Sequence, residues 1–237
     1  MTESAVYLQP AFILQHRKYR ETSLIIDVLT RDFGRLSLVA KGVRKSKSKT
    51  AGVLQPFIPL LISYIGKAEL KTLTNVEIAQ PLVQLEGLAF YCGFYINELT
   101  TRFLHRFDPH PEVFDDYAAC LLRLSSGENI EATLRLFELN LMDHVGYGMQ
   151  LERDVNGAPV NPLKHYALDA QQGVVESVDG RFSGKVLLAI KSREFADPLV
   201  LVEAKILMRT VIDSHLQGKP LKSRTVINKI SGILKNE

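Results

Sequence analysis

Hydrophobic residues change their spacing at Pro81, and that change limits what the chain can fold into. In Arg35-Leu-Ser-Leu-Val-Ala40, Leu36, Leu38 and Ala40 share one face and Arg35 and Ser37 the other, the two-residue period of a half-buried strand. Thr22 to Thr30 is rich in β-branched and aliphatic residues, and Asp32-Phe-Gly34 supplies a turn, so the two runs predict a hairpin. Further runs at Ala11 to His16, Phe57 to Ile65 and Leu70 to Ile78 bring the expectation to about five short strands, which favours a small barrel. The Lys/Ser stretch from Gly42 to Gly52 offers nothing to pack and is expected to be a mobile loop.

Beyond Pro81 the spacing is helical. Leu88, Cys92, Tyr95, Leu99 and Phe103 draw one apolar stripe, and Ile130, Leu134, Phe137, Leu141 and Val145 draw another. Phe114 to Leu124 predicts a further helix, stopped by Ser125-Ser-Gly127. Gly146 to Gly184 reads as an irregular insert with a small hairpin around Tyr166 to Val175. After it, Leu201, Ala204, Met208, Ile212 and Leu216 mark a long helix ending at Gly218, and Ser223 is placed to cap a last short one from Thr225. The expected fold class is multidomain α+β: a barrel domain over residues 1–80, then a mainly helical domain over 81–237 that carries the insert at 146–184.

With 46% hydrophobic and 23% charged residues the chain can bury a core, which excludes disordered, collagen-like and disulfide-scaffold classes. Its most apolar stretch, Val53 to Ile65, is broken by Gln55, Pro56, Pro59 and Ser63, so no run approaches the roughly 18 residues of a membrane span. No basic residue precedes Arg17, which argues against a secretory signal. Cys92 and Cys120 both lie in apolar helical text, pointing to a reducing compartment; the expected location is the cytoplasm.

Charge is segregated. Residues 1–80 hold 12 Lys/Arg against 6 Asp/Glu, residues 81–150 hold 4 against 10, and residues 151–237 hold 13 against 10. Between Asp32 and Glu69 there is no acid, while Arg35, Lys41, Arg44, Lys45, Lys47, Lys49 and Lys67 fall inside that window. A basic amino-terminal module favours a polyanionic partner. Arg35, Lys41, Arg44, Lys45, Lys47, Lys49 and Lys71 are the candidate contacts to a nucleic-acid backbone, with Tyr19, Phe33 or Tyr64 as stacking rings. The residues leave two other readings open: the cations only solubilise a loop while the rings fill the core, or the chain is a protein-interaction adaptor whose barrel docks acidic proteins with incidental DNA contact.

Catalytic and cofactor motifs fail on spacing. Gly180-Arg-Phe-Ser-Gly184-Lys185-Val186 has three residues between its glycines and no Ser or Thr after the lysine, so it reads as a plain helix start rather than a phosphate loop. Gly146 and Gly148 begin a dinucleotide fingerprint whose third glycine position is Leu151. The two cysteines lie 28 positions apart, and the histidines at 16, 105, 110, 144, 165 and 215 form no close pair beyond His105 and His110. No serine or cysteine sits in a nucleophile elbow. These failures count against an enzyme, and no cofactor is expected.

Seven blocks then carry a family resemblance. Glu21-Thr-Ser-Leu24, Gly34-Arg-Leu36 running to Leu38-Val-Ala-Lys-Gly42, Leu54-Gln-Pro-Phe57, Lys71-Thr-Leu73, Tyr95-Ile-Asn-Glu-Leu99, Gly146-Tyr-Gly148 and Gly218-Lys-Pro-Leu-Lys-Ser-Arg224 occur in the order found in the RecO family of bacterial recombination mediators, which the chain resembles over nearly its whole length. The resemblance implies an amino-terminal OB-fold, a helical carboxy-terminal domain and a non-enzymatic role in recombinational DNA repair. It implies binding to single- and double-stranded DNA, annealing of complementary strands, and work with RecR to load RecA where single-strand binding protein coats the DNA, in the cytoplasm at the nucleoid. Many members hold zinc through four cysteines after the Gly-Tyr-Gly block; this chain has none beyond Cys120. The resemblance further implies that the helical domain receives the acidic, apolar carboxy-terminal tail of single-strand binding protein. Arg102, Arg106, Arg123 and Arg135 are the cations of the acidic segment, and Arg123 and Arg135 with Phe137 and Leu141 are the candidate tail contacts. Arg135 can instead pair with Glu131 or Glu138 at helical spacing, its apolar neighbours being core.

Overall fold

The computed structural model describes residues 4–45, 50–79, 83–169 and 172–234. Its elements are β1 (Ala5–Tyr19), β2 (Ser23–Thr30), β3 (Gly34–Ala40), β4 (Leu60–Ile65), β5 (Leu70–Ile78), α1 (Gly87–Phe103), α2 (Pro111–Ser125), α3 (Ile130–His144), β6 (His165–Asp169), β7 (Gly173–Glu176), β8 (Phe182–Ser183), α4 (Gly184–Lys191), α5 (Pro198–His215) and α6 (Lys222–Leu234). Contacts divide the chain into two units, Met1–Glu128 with Leu221–Glu237, and Asn129–Pro220.

In the first unit β1 to β5 close a barrel in the order β1-β2-β3-β5-β4, the OB-type arrangement. One long strand makes the closure possible: β1 pairs with β4 over Ala5 to Ala11 and with β2 over Ala11 to Tyr19. Pro10, which has no N–H to give a ladder, sits beside the point where β1 changes partners, so the strand continues through it and begins before the run expected from Ala11. The strand also runs past His16 to Tyr19 on exposed polar residues. Conversely, β4 starts at Leu60 and not at Phe57, because Phe57 is left-handed (φ 71) and Pro59 lacks an N–H.

The predicted inward face of β3 holds: Leu36, Leu38 and Ala40 join Ile13, Ile26, Val28 and Ile62 in the barrel core. Its outward face is also occupied. The Ser37 hydroxyl donates to Asp27 Oδ1, and Arg35 Nη1 donates to the Thr101 carbonyl near the end of α1.

A bulge fastens the helices to the barrel. The β1–β2 register shifts between Ile13 and Gln15, which leaves Leu14 without a ladder partner. Its carbonyl accepts Asn97 Nδ2 of α1 at 2.8 Å, and Asn97 Oδ1 accepts the Tyr117 hydroxyl of α2 at 2.5 Å. All three residues are buried, and burial, then the neighbouring Cys120, push the Tyr117 phenol well above its ordinary pKa, so it stays the donor. Phe12 packs beside the relay, 5.2 Å from the Phe114 ring and 4.9 Å from that of Tyr117. Gly34 makes a second seam. It is left-handed (φ +66), and a Cβ there would lie 2.3 Å from the Asp108 carbonyl oxygen.

The residue after Asn97 fixes α6. Glu98 accepts the Lys222 N–H at 3.1 Å, the Ser223 N–H at 2.9 Å and the Ser223 hydroxyl at 2.6 Å. Burial pushes the Glu98 carboxyl up, but the Ser223 and Lys222 donors together with Arg102 outweigh it and hold the pKa below its ordinary value. Ser223 is therefore not the cap of a helix from Thr225; it lies inside α6, and a carboxylate from another helix satisfies the first-turn donors.

In the second unit α3 and α4 pack on α5. Asn129, Ser183 and Asp197 cap α3, α4 and α5 through their side chains, so the Gly180–Val186 text is the helix start it reads as. The insert contains a three-stranded sheet in the order β7-β6-β8, whose β6–β7 hairpin falls where the sequence places it. Buried Tyr166 anchors the sheet, its hydroxyl accepting the Asn161 N–H at 2.8 Å.

Replacing Asn97 by Ala leaves the Leu14 carbonyl and the Tyr117 hydroxyl buried without their partner. The expected loss is about 2–4 kcal/mol of unfolding free energy, against about 1–2 kcal/mol for Tyr117→Phe, measured by urea titration. Losses within about 0.5 kcal/mol of zero would show that the relay does not hold the helices.

Candidate nucleic-acid interface

Strand register decides where the barrel's cations meet. Lys18 pairs with Leu24 and Leu24 with Ala40, which sets the β1–β2 turn beside the exit of β3. Arg17, Lys18 and Arg20 are exposed along the end of β1 and its turn, and Lys41, Arg44 and Lys45 are exposed just past β3. None of the six has an ion-pair partner among the described residues.

The loop after β3 is anchored at its start. Val43 is buried in the barrel core, which corrects the expectation that nothing in Gly42–Gly52 packs. The Arg44 N–H donates to the Thr22 carbonyl at 2.9 Å, and Arg44 Nη1 to the Arg20 carbonyl at 3.1 Å, tying loop to turn. Between them lies a cleft of about 850 Å³ bordered by Tyr19, Arg20, Ser23, Lys41 and Lys45, with Glu21 the acid on its wall. The Arg20 guanidinium stands 5.2 Å from the centre of the Tyr19 ring. Lys47 and Lys49 lie outside the described residues.

Two of the predicted backbone contacts are elsewhere. Arg35 is turned toward α1 and donates to Thr101; burial first, then the Arg106 charge, pull its guanidinium below the usual pKa. It is a structural cation. Lys71 borders a second cleft, of about 580 Å³, with Lys67, Glu69, Arg106 and Phe107; its Nζ donates to the Gly66 carbonyl at 3.1 Å. Of the three rings, Tyr19 borders the first cleft and Phe33 is exposed at the β2–β3 turn. Tyr64 is no stacking ring: it is core, and burial pushes its phenol up to about 12.

The contribution of Arg17, Lys18 and Arg20 is not visible in the acid-free window, because that window opens after Asp32. The signal for them is local: three cations in four positions ending a strand whose hairpin partner leads into β3.

The expected tail contacts on α3 are also corrected. Arg135 is 7% exposed and bonded to Glu138, itself 1% exposed, while Phe137 and Leu141 are core. The buried face of α3 is wider than its apolar stripe because the pair at i, i+3 neutralises itself. Glu131 pairs instead with Lys205 of α5 at 2.8 Å. Arg102 lies 3.9 Å from Glu98, and Arg106 lies 2.9 Å from Glu69 and 3.9 Å from Asp27. Arg123, with 41% of its side chain exposed, makes one long contact to Glu128 at 3.9 Å and follows the exposed Leu122 in sequence.

Two family models cover almost the whole chain: recombination protein O N terminal over residues 1–82 and recombination protein O C terminal over residues 84–225. Among similar proteins are a DNA repair protein RecO of Methylococcus capsulatus, 42% identical over 231 residues with 96% of both chains covered, and one of Haemophilus influenzae, 41% identical with 96% of this chain and 98% of that one covered. A third, from Nitrosospira multiformis, is 39% identical over 93% of this chain and 94% of its own. Among the described residues no helix is long and apolar enough to cross a membrane.

Combined replacement of Lys41, Arg44 and Lys45 by Ala should flatten the log–log salt dependence of oligo(dT) binding by about two units, since each lost single-strand phosphate contact removes about 0.7. Arg35→Ala should leave that slope unchanged and lower the midpoint of thermal unfolding. Fluorescence anisotropy of labelled strands over a salt series reads the slope; the reverse pattern would place the interface on the other side of β3.

Proposed function

The chain belongs to the RecO family of DNA repair proteins, acting in repair and recombination, and on that premise we propose that its barrel binds single-stranded DNA by the phosphate backbone and anneals complementary strands without enzymatic chemistry. The observation carrying this reading is the convergence of Arg17, Lys18, Arg20, Lys41, Arg44 and Lys45 on one end of the barrel. Cations on a turn and a loop follow phosphates and leave base edges uncovered, which annealing requires and a base-reading pocket would prevent. Duplex DNA satisfies the same charges, so binding to both forms follows.

In the cell such a protein meets strands already coated by single-strand binding protein, and the family role is to act there with RecR in loading RecA. The tail of the coating protein joins carboxylates to an apolar end. With Arg135, Phe137 and Leu141 buried, Arg123 is the residue of the expected set that can meet it, beside Leu122. The long contact to Glu128 is exposed and costs little to give up.

Annealing of complementary oligonucleotides, followed by energy transfer between end labels, tests the reading. The unmodified protein should accelerate annealing without magnesium, and Lys18→Glu with Arg20→Glu should abolish the acceleration. Arg123→Glu should retain annealing of bare strands yet weaken a tail peptide at least about tenfold, the scale of one charge-assisted contact. Unimpaired annealing by the Lys18/Arg20 variant would remove the barrel end from the function.

A further inference from the structure

The second cleft holds a ring that neither backbone preference nor burial accounts for. Phe107 lies in the connection between α1 and α2, where its N–H donates to the Arg35 carbonyl at 3.1 Å and the preceding Arg106 pairs with Arg35 as a one-residue bridge. The chain then reverses, with Phe107 left-handed at φ 59, to lay Asp108 against Gly34. A left-handed position of this kind is met at lower cost by Gly or Asn, and a bulky side chain there is an outlier. Packing does not compensate, since Phe107 is 44% exposed. The ring instead borders the 580 Å³ cleft with Lys67, Glu69, Lys71 and Arg106; Arg106 neutralises Glu69 at 2.9 Å, and Lys71 Nζ stands 5.6 Å from the ring centre.

An exposed ring among cations has a ligand chemistry. We propose that this cleft binds one nucleotide of a single strand, the base stacking on Phe107 and the flanking phosphates meeting Lys67 and Lys71. Arg106 is already committed to Glu69 and Asp27 and positions the connection. Bases in a duplex stack on each other and leave no free face, so the site selects unpaired strands where the cationic end of the barrel accepts both forms. The Phe107 N–H donates to Arg35, six residues and roughly 20 Å of strand from Lys41, so the ring is a separate subsite from the loop at Lys41, with Lys71, paired with Leu38, lying between the two. The proposal rests on the reading of the barrel as a single-strand binder.

The chain contains no tryptophan, so Phe107→Trp introduces the sole indole and makes stacking visible. Its emission should be quenched when oligo(dT) binds, and far less when an abasic phosphodiester oligomer of equal length binds. Phe107→Ala should weaken oligo(dT) at least about fivefold, the lower end for loss of one base–aromatic stack, with an unchanged affinity for the abasic oligomer. Anisotropy of labelled oligomers reports binding independently. If oligo(dT) binds the Phe107→Trp protein with no more quenching than the abasic oligomer, or if Phe107→Ala binds oligo(dT) as tightly as the unmodified protein, the stacking site is wrong and the barrel reading stands. If the unmodified protein binds neither oligomer, both fall.

Discussion

The carbonyl of Leu14 is the constraint from which the first unit is assembled. A bulge takes it out of the β1–β2 ladder, and a buried carbonyl without a partner costs as much as a lost hydrogen bond. Asn97 supplies the partner and is itself held by Tyr117, so one unsatisfied strand group draws in both α1 and α2. Once Asn97 is fixed, its neighbour Glu98 faces the start of α6 and satisfies that helix's first donors. Further along α1, the Thr101 carbonyl receives Arg35 from β3. A single helical turn and a half thus connects barrel, α2 and α6, and the Tyr95-Ile-Asn-Glu-Leu99 block is that connection.

This assembly sorts the cations of the barrel. Arg31 is bonded to Asp115 through two nitrogens, and Arg35 to Thr101, so both join the barrel to the helices. At the far end of β3 no helix among the described residues supplies acceptors in this way, and the side chains of Arg17, Lys18, Arg20, Lys41, Arg44 and Lys45 are exposed. A surface of that kind attracts a polyanion from a distance and holds it without reading its sequence. The proposed subsite at Phe107 adds discrimination between paired and unpaired strands, which cations by themselves lack.

The barrel and the helices were legible because both depend on periodicity: alternation placed Leu36, Leu38 and Ala40 inside, and the stripes of α1 and α3 ran along buried faces. What sequence could not convey was pairing across distance. Arg35 looks like any other cation in an acid-free window until Thr101 is seen beside it. The spacing of Arg135 and Glu138 is the same for a solvated pair as for the buried one present here. Ser223 carries a local capping pattern, yet the cap comes from Glu98, far away in the chain. The run from Arg17 to Arg20 gains its meaning from the register that sets it beside the loop after β3.

The claim that the exposed end of the barrel is the DNA surface is tested most directly by lysine reactivity. The protein, alone and saturated with oligo(dT), is acetylated briefly and each lysine's modification is read by mass spectrometry. Lys18, Lys41 and Lys45 should be protected by the strand, while Lys185 and Lys205, exposed in the second unit, should react equally in both samples. Protection of Lys185 and Lys205 with unchanged reactivity at Lys18, Lys41 and Lys45 would contradict it.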